Sequence, residues 1–250
     1  MRRRFFVDEF EGGSAILRGE AAHHLGRVLR AEAGQVYELS DGQCLWLART
    51  ESVGRDEVQF TLLEQLPVAF APAEIELLLA IVKFDRFEWA LEKATELGVE
   101  GIVPMAADRS EKGLIAAAAK RAERWERILA ESAQQARRLR IPGLKDAAKP
   151  REAFLASTAS LKLLLSERAG ARPLREMLEP AASLRAEGDA VRVVVAIGPE
   201  GGWTDAEFAS AVDCGFAEVA LGANILRTET AVCAALAAVQ YAFGAFRKIG

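Results

Sequence analysis

The sequence predicts an α/β protein in two parts, a small β-rich domain over residues 1–70 and a parallel-sheet domain over 71–250. Three observations carry this. Short apolar or alternating segments punctuated by glycine turns fill the first seventy residues. Pro67 and Pro72 then bracket a linker. Beyond it, nearly continuous apolar runs alternate with segments of helical period, as strands covered on both faces require.

In the first domain Arg4 to Val7, Ala15 to Leu17, Gln35 to Leu39, Cys44 to Arg49 and Glu57 to Leu63 read as strands. Gly12-Gly13, Gly34, Asp41-Gly42 and Gly54 supply the turns between them, and Asp41-Gly42 is the clearest hairpin signal. Ala21 to Leu29 reads as a short helix, with His24, Leu25, Val28 and Leu29 on one face. Five short strands need a closed or covered edge, which makes the module barrel-like.

In the second domain Ile75 to Val82 is a buried strand. Asp85 is placed to cap a helix in which Phe87, Leu91, Ala94 and Leu97 repeat at helical spacing, ended by Gly98. Val99 to Met105 is the next strand, Lys120 to Leu139 a long helix, and Leu161 to Leu165 and Val191 to Ile197 further strands. Leu178 to Ala190, mostly polar or small, reads as a loop. Thr204 starts a helix with Glu207 in the capping-box position, and Ala217 to Leu221 is a strand. Thr228 to Phe246 reads as an alanine-rich helix with so few charges that burial on several sides is expected, either within the one chain or against the sheet and a second subunit.

Composition narrows the function classes. Apolar residues make up 51% and charged residues 27%, the balance of a protein with a sizeable core. Charges break every apolar run before it could span a bilayer, and no apolar leader follows the early arginines, so a cytoplasmic protein is expected. Cys44, Cys214 and Cys233 are widely spaced, which fits a reducing compartment and gives no metal-binding pattern. His23 and His24 are the only histidines, leaving little material for a zinc hydrolase or a Ser-His-Asp enzyme. The net charge of −4 argues against a uniformly basic nucleic-acid binder, yet Lys112 to Arg151 holds eleven basic residues against four acidic ones. Arg2, Arg3 and Arg4 form a second basic cluster. Such clusters are either the footprint of a polyanion or a solvated surface.

Two stretches concentrate the chemistry: IGPEGGWTDAE at 197–207 and LGANILRTETA at 221–231. Each ends a buried strand, makes a glycine-rich turn and starts a helix. Both therefore face the carboxyl edge of a parallel sheet, where open α/β folds bind ligands. Neither has the spacing of a dinucleotide-binding or phosphate-binding glycine loop. Gly222 permits close backbone approach, and Ile225 and Leu226 offer an apolar wall suited to the faces of an adenine ring.

These two stretches closely resemble the signature motifs of the bacterial 16S ribosomal RNA (uracil-N3)-methyltransferases, members of the trefoil-knotted SPOUT superfamily. KATELGV at 93–99, Arg109-Ser110, LLLSERAG at 163–170, RRFF at 3–6 and HHLGRVLR at 23–30 are also similar, in consistent order over essentially the whole chain. The resemblance implies an N-terminal PUA-like RNA-binding β-barrel at 1–70 and a knotted α/β methyltransferase and dimerisation domain at 71–250. It implies a homodimer that uses S-adenosylmethionine, without a metal, to methylate N3 of a uridine in 16S rRNA, within the assembled small subunit. The knot is expected from Ser166–Gly170, Gly198–Trp203 and Leu221–Glu229. The alternatives are an inactive knotted RNA- or ribosome-binding protein, or a knotted RNA methyltransferase of different base or ribose specificity.

The neutral uracil N3 carries a proton, so the reaction needs its removal and a cation near the developing imide anion. On the resemblance, Arg227 is the first choice for placing the base and Arg109 the second. Glu229 either accepts the proton or holds Arg227, and solvent is the alternative base. Cofactor binding is assigned to Leu165, Gly198, Glu200, Gly201, Leu221, Gly222, Ile225, Leu226 and Thr230; Glu200 is either functional or a brace. RNA binding is assigned to Arg2, Arg3, Arg4, His24, Arg27, Arg30, Arg137, Arg138 and Arg140. The chain departs from the family's Glu-Gln-Ser/Cys-Gly-Arg stretch, reading Glu131-Ser132-Ala133-Gln134-Gln135-Ala136-Arg137-Arg138, with Ala136 or Arg137 where glycine is expected.

Overall fold

The computed structural model describes residues 3–68, 71–183 and 190–244. Arg2 and the end of the expected last helix, including Phe246, lie outside them. The chain forms two compact units: residues 1–69 with 130–141, and residues 70–129 with 142–250. The sequence reading placed all of 71–250 in one domain and had no signal for the grouping of 130–141 with the first unit.

The first unit is built on β1 (Arg4–Phe6), β2 (Ser14–Arg18), β3 (Val36–Ser40), β4 (Leu45–Val53) and β5 (Glu57–Leu66). They form one curled sheet in the order β1-β3-β4-β5-β2, parallel between β1 and β3 and antiparallel elsewhere. Asp41 makes the β3–β4 turn by accepting hydrogen bonds from the backbone of Gln43 and Cys44, with Gly42 at φ +87°. Phe5, Leu17, Leu25, Leu39, Val58 and Phe60 fill the core. Phe5 is thus internal, and its neighbour Phe6 is only half-buried, as strand alternation requires.

The expected helix over 21–29 is two pieces. Helix α1 (Gly19–His23) gives way to a π-helical turn, His24–Val28, closed by the Leu29 N–H on the His24 carbonyl. The wider turn rotates Val28 off the buried face, so Val28 is 62% exposed and His24 is also outside, while Leu25 stays in the core. The single face expected for His24, Leu25, Val28 and Leu29 assumes a 3.6-residue period, which the π-helical turn does not keep.

The second unit holds β6 (Ala73–Ala80), α2 (Phe84–Glu96), β7 (Val99–Met105), α3 (Lys112–Ala118) and α4 (Ala122–Gln135). There follow β8 (Gly143–Leu144), α5 (Pro150–Ala156), β9 (Leu161–Leu165), β10 (Arg172–Pro173) and α6 (Leu174–Ser183). The remainder is β11 (Val191–Ile197), α7 (Asp205–Asp213), β12 (Ala217–Ala220) and α8 (Thr228–Ala242). All seven strands are parallel, in the order β10-β12-β9-β11-β6-β7-β8. Side chains of β6 alternate between two cores: Ile75, Leu77 and Leu79 face one, Leu78 and Ala80 the other. That two-sided burial is why the strand reads as an unbroken apolar run.

Four local expectations change. Asp85 lies inside the first turn of α2, whose N-cap is Lys83. The long helix expected over 120–139 begins at Ala122 and ends at Gln135, after the separate helix α3. Residues 178–183 belong to α6 rather than to a loop; Leu174 and Leu178 anchor that helix in the core despite Pro180 within it. Within the chain, α8 buries mainly one face, formed by Thr228, Ala231, Val232, Ala235, Leu236 and Val239, while Ala237 and Tyr241 are exposed. Burial also raises the pKa of the Cys233 thiol on this helix, so Cys233 is suited to packing rather than nucleophilic chemistry.

Candidate functional site

The sheet order puts β9 between β11 and β12, so the carboxyl ends of three strands lie side by side. The loops that follow them enclose a cleft of ≈ 460 Å³. Leu165, Ser166, Glu167 and Arg168 come from β9 and its loop, Ile197 to Trp203 from β11 and its loop, and Leu221 to Leu226 from the loop after β12. Its volume and mixed apolar and polar lining are those of a small-molecule site.

Short contacts fix the loop after β11. The Trp203 indole N–H donates to the Leu165 carbonyl at 2.9 Å, joining this loop to β9. The same ring lies against Gly198, where an added Cβ would come within 3.0 Å of it. Thr228, at the start of α8, donates its hydroxyl to the Gly198 carbonyl at 3.2 Å. Arg109 lays its side chain along Gly201 and donates from Nη1 to the Gly201 carbonyl at 2.7 Å. Thr204 and Glu207 form the expected capping box, and Glu207 also accepts from the Asp108 N–H. Gly222 differs from the other glycines of the cleft, Gly198, Gly201 and Gly202: a Cβ there would meet no protein atom within 4 Å.

Of the residues assigned to cofactor binding, Leu165, Gly198, Glu200, Gly201, Leu221, Gly222, Ile225 and Leu226 line the cleft, and Thr230 does not. Arg109 lines it, whereas Arg227 is the exposed N-cap of α8 and Glu229 lies in the first turn of that helix, both outside the lining. Glu229 Oε2 is buried with no hydrogen-bond partner among the described residues. Sequence reasoning missed Arg168, whose guanidinium stacks 4.4 Å from the centre of the Phe208 ring, within 4 Å of the Asp205 and Glu218 carboxylates. Trp203 and Phe208 were also missed. Their place in the IGPEGGWTDAE stretch and the helix after it was the available signal.

The basic residues of the first unit divide into two kinds. Arg3, His24, Arg27, Arg30 and Arg140 are exposed, and Arg138 is half-buried. Arg4 is 4% exposed and gives Nε and Nη2 to Glu38 Oε2, while Nη1 donates to the Arg137 carbonyl. Arg137 completes the cluster by donating to Glu38 Oε1. Arg4 is therefore an internal partner of a buried carboxylate, and the half-buried Arg137 shares that carboxylate. Both guanidiniums, expected among the RNA contacts, are engaged with Glu38. The position of the missing glycine is also explained. Arg137 has φ +53°, and the bonds Arg138 N–H to Ala133 and Arg137 N–H to Gln134 close α4 with a Schellman motif. An arginine occupies the left-handed position that glycine usually takes.

Among the described residues no group of three or more His, Cys, Asp or Glu side chains could hold a metal ion, and no helix is long and apolar enough to cross a membrane.

A ligand cleft at the carboxyl edge of an all-parallel sheet places the chain in a class that sequence comparison defines: residues 70–240 match the RNA methyltransferase domain family, within the SPOUT superfamily. A ribosomal RNA small subunit methyltransferase E from Synechocystis sp. is 33% identical over 224 residues, covering 87% of this chain and 70% of the relative. The Mycobacterium tuberculosis protein of the same name is 32% identical, covering 94% and 90%. The crystal structure of the Neisseria gonorrhoeae methyltransferase E bound to S-adenosyl methionine aligns with a TM-score of 0.84 at 31% identity, covering 96% of this chain and 98% of that one. The chain belongs to the ribosomal RNA small subunit methyltransferase E family.

Proposed function

We propose that this protein transfers a methyl group from S-adenosylmethionine to N3 of a uridine in 16S rRNA. The observation that carries the reading is the three-loop cleft, on a chain that aligns over 96% of its length with a relative that binds that cofactor. The cleft fits the group. Leu165, Ile197, Leu221 and Leu226 supply walls for an adenine ring, and the open space at Gly222 lets the ligand approach the backbone. Glu167, Glu200 and Asp205 provide carboxylates for a cationic ligand. When bound, the cofactor supplies an electrophilic methyl group on a positively charged sulfur.

The chain's residues then have to present the uracil and favour its deprotonated form. Arg227 immediately follows the cleft-lining Leu226, so it is assigned to the target base rather than to the cofactor. Arg109 is assigned to bracing, since its Nη1 donor is committed to the Gly201 carbonyl. Glu229 is retained as the candidate proton acceptor because its Oε2 has no partner among the described residues. Thr230, outside the cleft lining, is left out of the proposed cofactor contacts.

The proposal extends to domain roles: the first unit as a PUA-like RNA-binding module, and the second as a knotted catalytic domain that dimerises in the cytoplasm. RNA contacts are assigned to the exposed Arg3, His24, Arg27, Arg30 and Arg140 and to Arg138. Calorimetric titration with S-adenosylmethionine tests the pocket. Stoichiometric binding is expected, and absence of binding by folded protein would favour the inactive RNA-binding alternative.

A further inference from the structure

The loop from Gly198 to Trp203 carries one charged side chain, Glu200, and a residue from another element holds it. Glu200 Oε1 accepts from Arg86 Nη1 at 2.6 Å. Arg86 stands in the first turn of α2 and is absent from the cleft lining, whereas Glu200 is part of it. Glu200 has no other hydrogen-bond or ion-pair partner among the described residues. The rest of the loop is fixed by the Trp203 indole on the Leu165 carbonyl and through its own backbone atoms: Gly202 N–H on the Pro199 carbonyl, Arg109 on the Gly201 carbonyl and Thr228 on the Gly198 carbonyl. Those contacts set the path of the chain and leave the direction of the Glu200 side chain open. Arg86 closes that freedom.

We infer that Arg86 is a positioning residue for cofactor binding, acting through Glu200. The inference rests on the cleft being the S-adenosylmethionine site. A glutamate on a cleft wall samples several rotamers, and ordering it during binding costs affinity. A charge-assisted hydrogen bond from outside the cleft orders it beforehand and leaves its second oxygen for the ligand. Glu200 is thereby a ligand-orienting carboxylate. Of the two roles the sequence left open, functional group or brace, Glu200 takes the first.

The test is calorimetric titration of the full-length protein with S-adenosylmethionine, comparing wild type, Arg86→Gln, Arg86→Lys, Glu200→Gln and the Arg86→Gln/Glu200→Gln double variant, each checked by thermal melting. Arg86→Gln and Glu200→Gln should each weaken binding about fivefold, the scale of a partly exposed ion pair. The double variant should be no weaker than the weaker single one, because both changes remove one coupled interaction. Lysine restores a donor cation, so Arg86→Lys should bind within about twofold of wild type. Wild-type affinity in Arg86→Gln, multiplied losses in the double variant, or no recovery with lysine would overturn the inference. Failure of wild type to bind would instead overturn the cofactor reading beneath it, and is seen before any substitution is made.

Discussion

Gly222 shows how a missing side chain becomes a functional surface. Because a Cβ there meets no protein atom, Gly222→Val should fold with little change in stability while placing methyl groups in the cleft. S-adenosylmethionine binding should fall at least about tenfold, with RNA affinity retained, as calorimetry and a filter-binding assay would measure. Equal losses of both would separate Gly222 from the cofactor site. Arg137 is the opposite case, a bulky residue where glycine is at ease. Arg137→Ala loses the Glu38 contact and keeps the left-handed strain, whereas Arg137→Gly loses the contact and relieves it. The glycine variant should therefore be about 1 kcal/mol more stable than the alanine variant in urea unfolding. At this scale the sequence exposed the glycine turns and the cleft walls. It could not tell which arginines were already engaged: Arg4, Arg109 and Arg137 look like free cations until Glu38 and the Gly201 carbonyl are placed beside them.

Between elements, the buried Glu38 cluster ties β1, β3 and the end of α4 together within the first unit. Glu38→Ala would leave the buried Arg4 guanidinium without its carboxylate, and a loss of about 3–5 kcal/mol is expected in chemical denaturation. A loss below about 1 kcal/mol would show that Arg4 is readily solvated instead. Strand positions were legible because apolar runs and alternation depend on local burial, as β6, β9 and β11 show. Helix ends were less so. The π-helical turn at His24–Val28 and the left-handed stop at Arg137 depend on backbone hydrogen bonding that side-chain periodicity does not report. Leu178 fell in the expected loop because the stretch it opens is mostly polar or small, yet burial of Leu174 and Leu178 holds α6 through Pro180.

For the molecule as a whole, the sequence placed two loops at one sheet edge but not their true relation. β9 lies between β11 and β12, making the site a three-loop cleft, and strand order is a property of long-range pairing that no local pattern encodes. The motifs, through their resemblance to a known family, supplied what periodicity could not: the cofactor, the knot and the RNA target. Surface charge follows the same division between local and global. If the first unit contacts RNA phosphates, Arg3→Gln/Arg27→Gln should weaken RNA binding and flatten its salt dependence by about two units of slope. An unchanged slope would remove these arginines from the interface. The central claim is tested most directly by incubating the protein and S-adenosylmethionine with small ribosomal subunits lacking this methyl group, then identifying and mapping the modified nucleoside. The account predicts N3-methyluridine at a single site in 16S rRNA. No transfer by folded, cofactor-binding protein, or transfer to a ribose oxygen or another base, would contradict it.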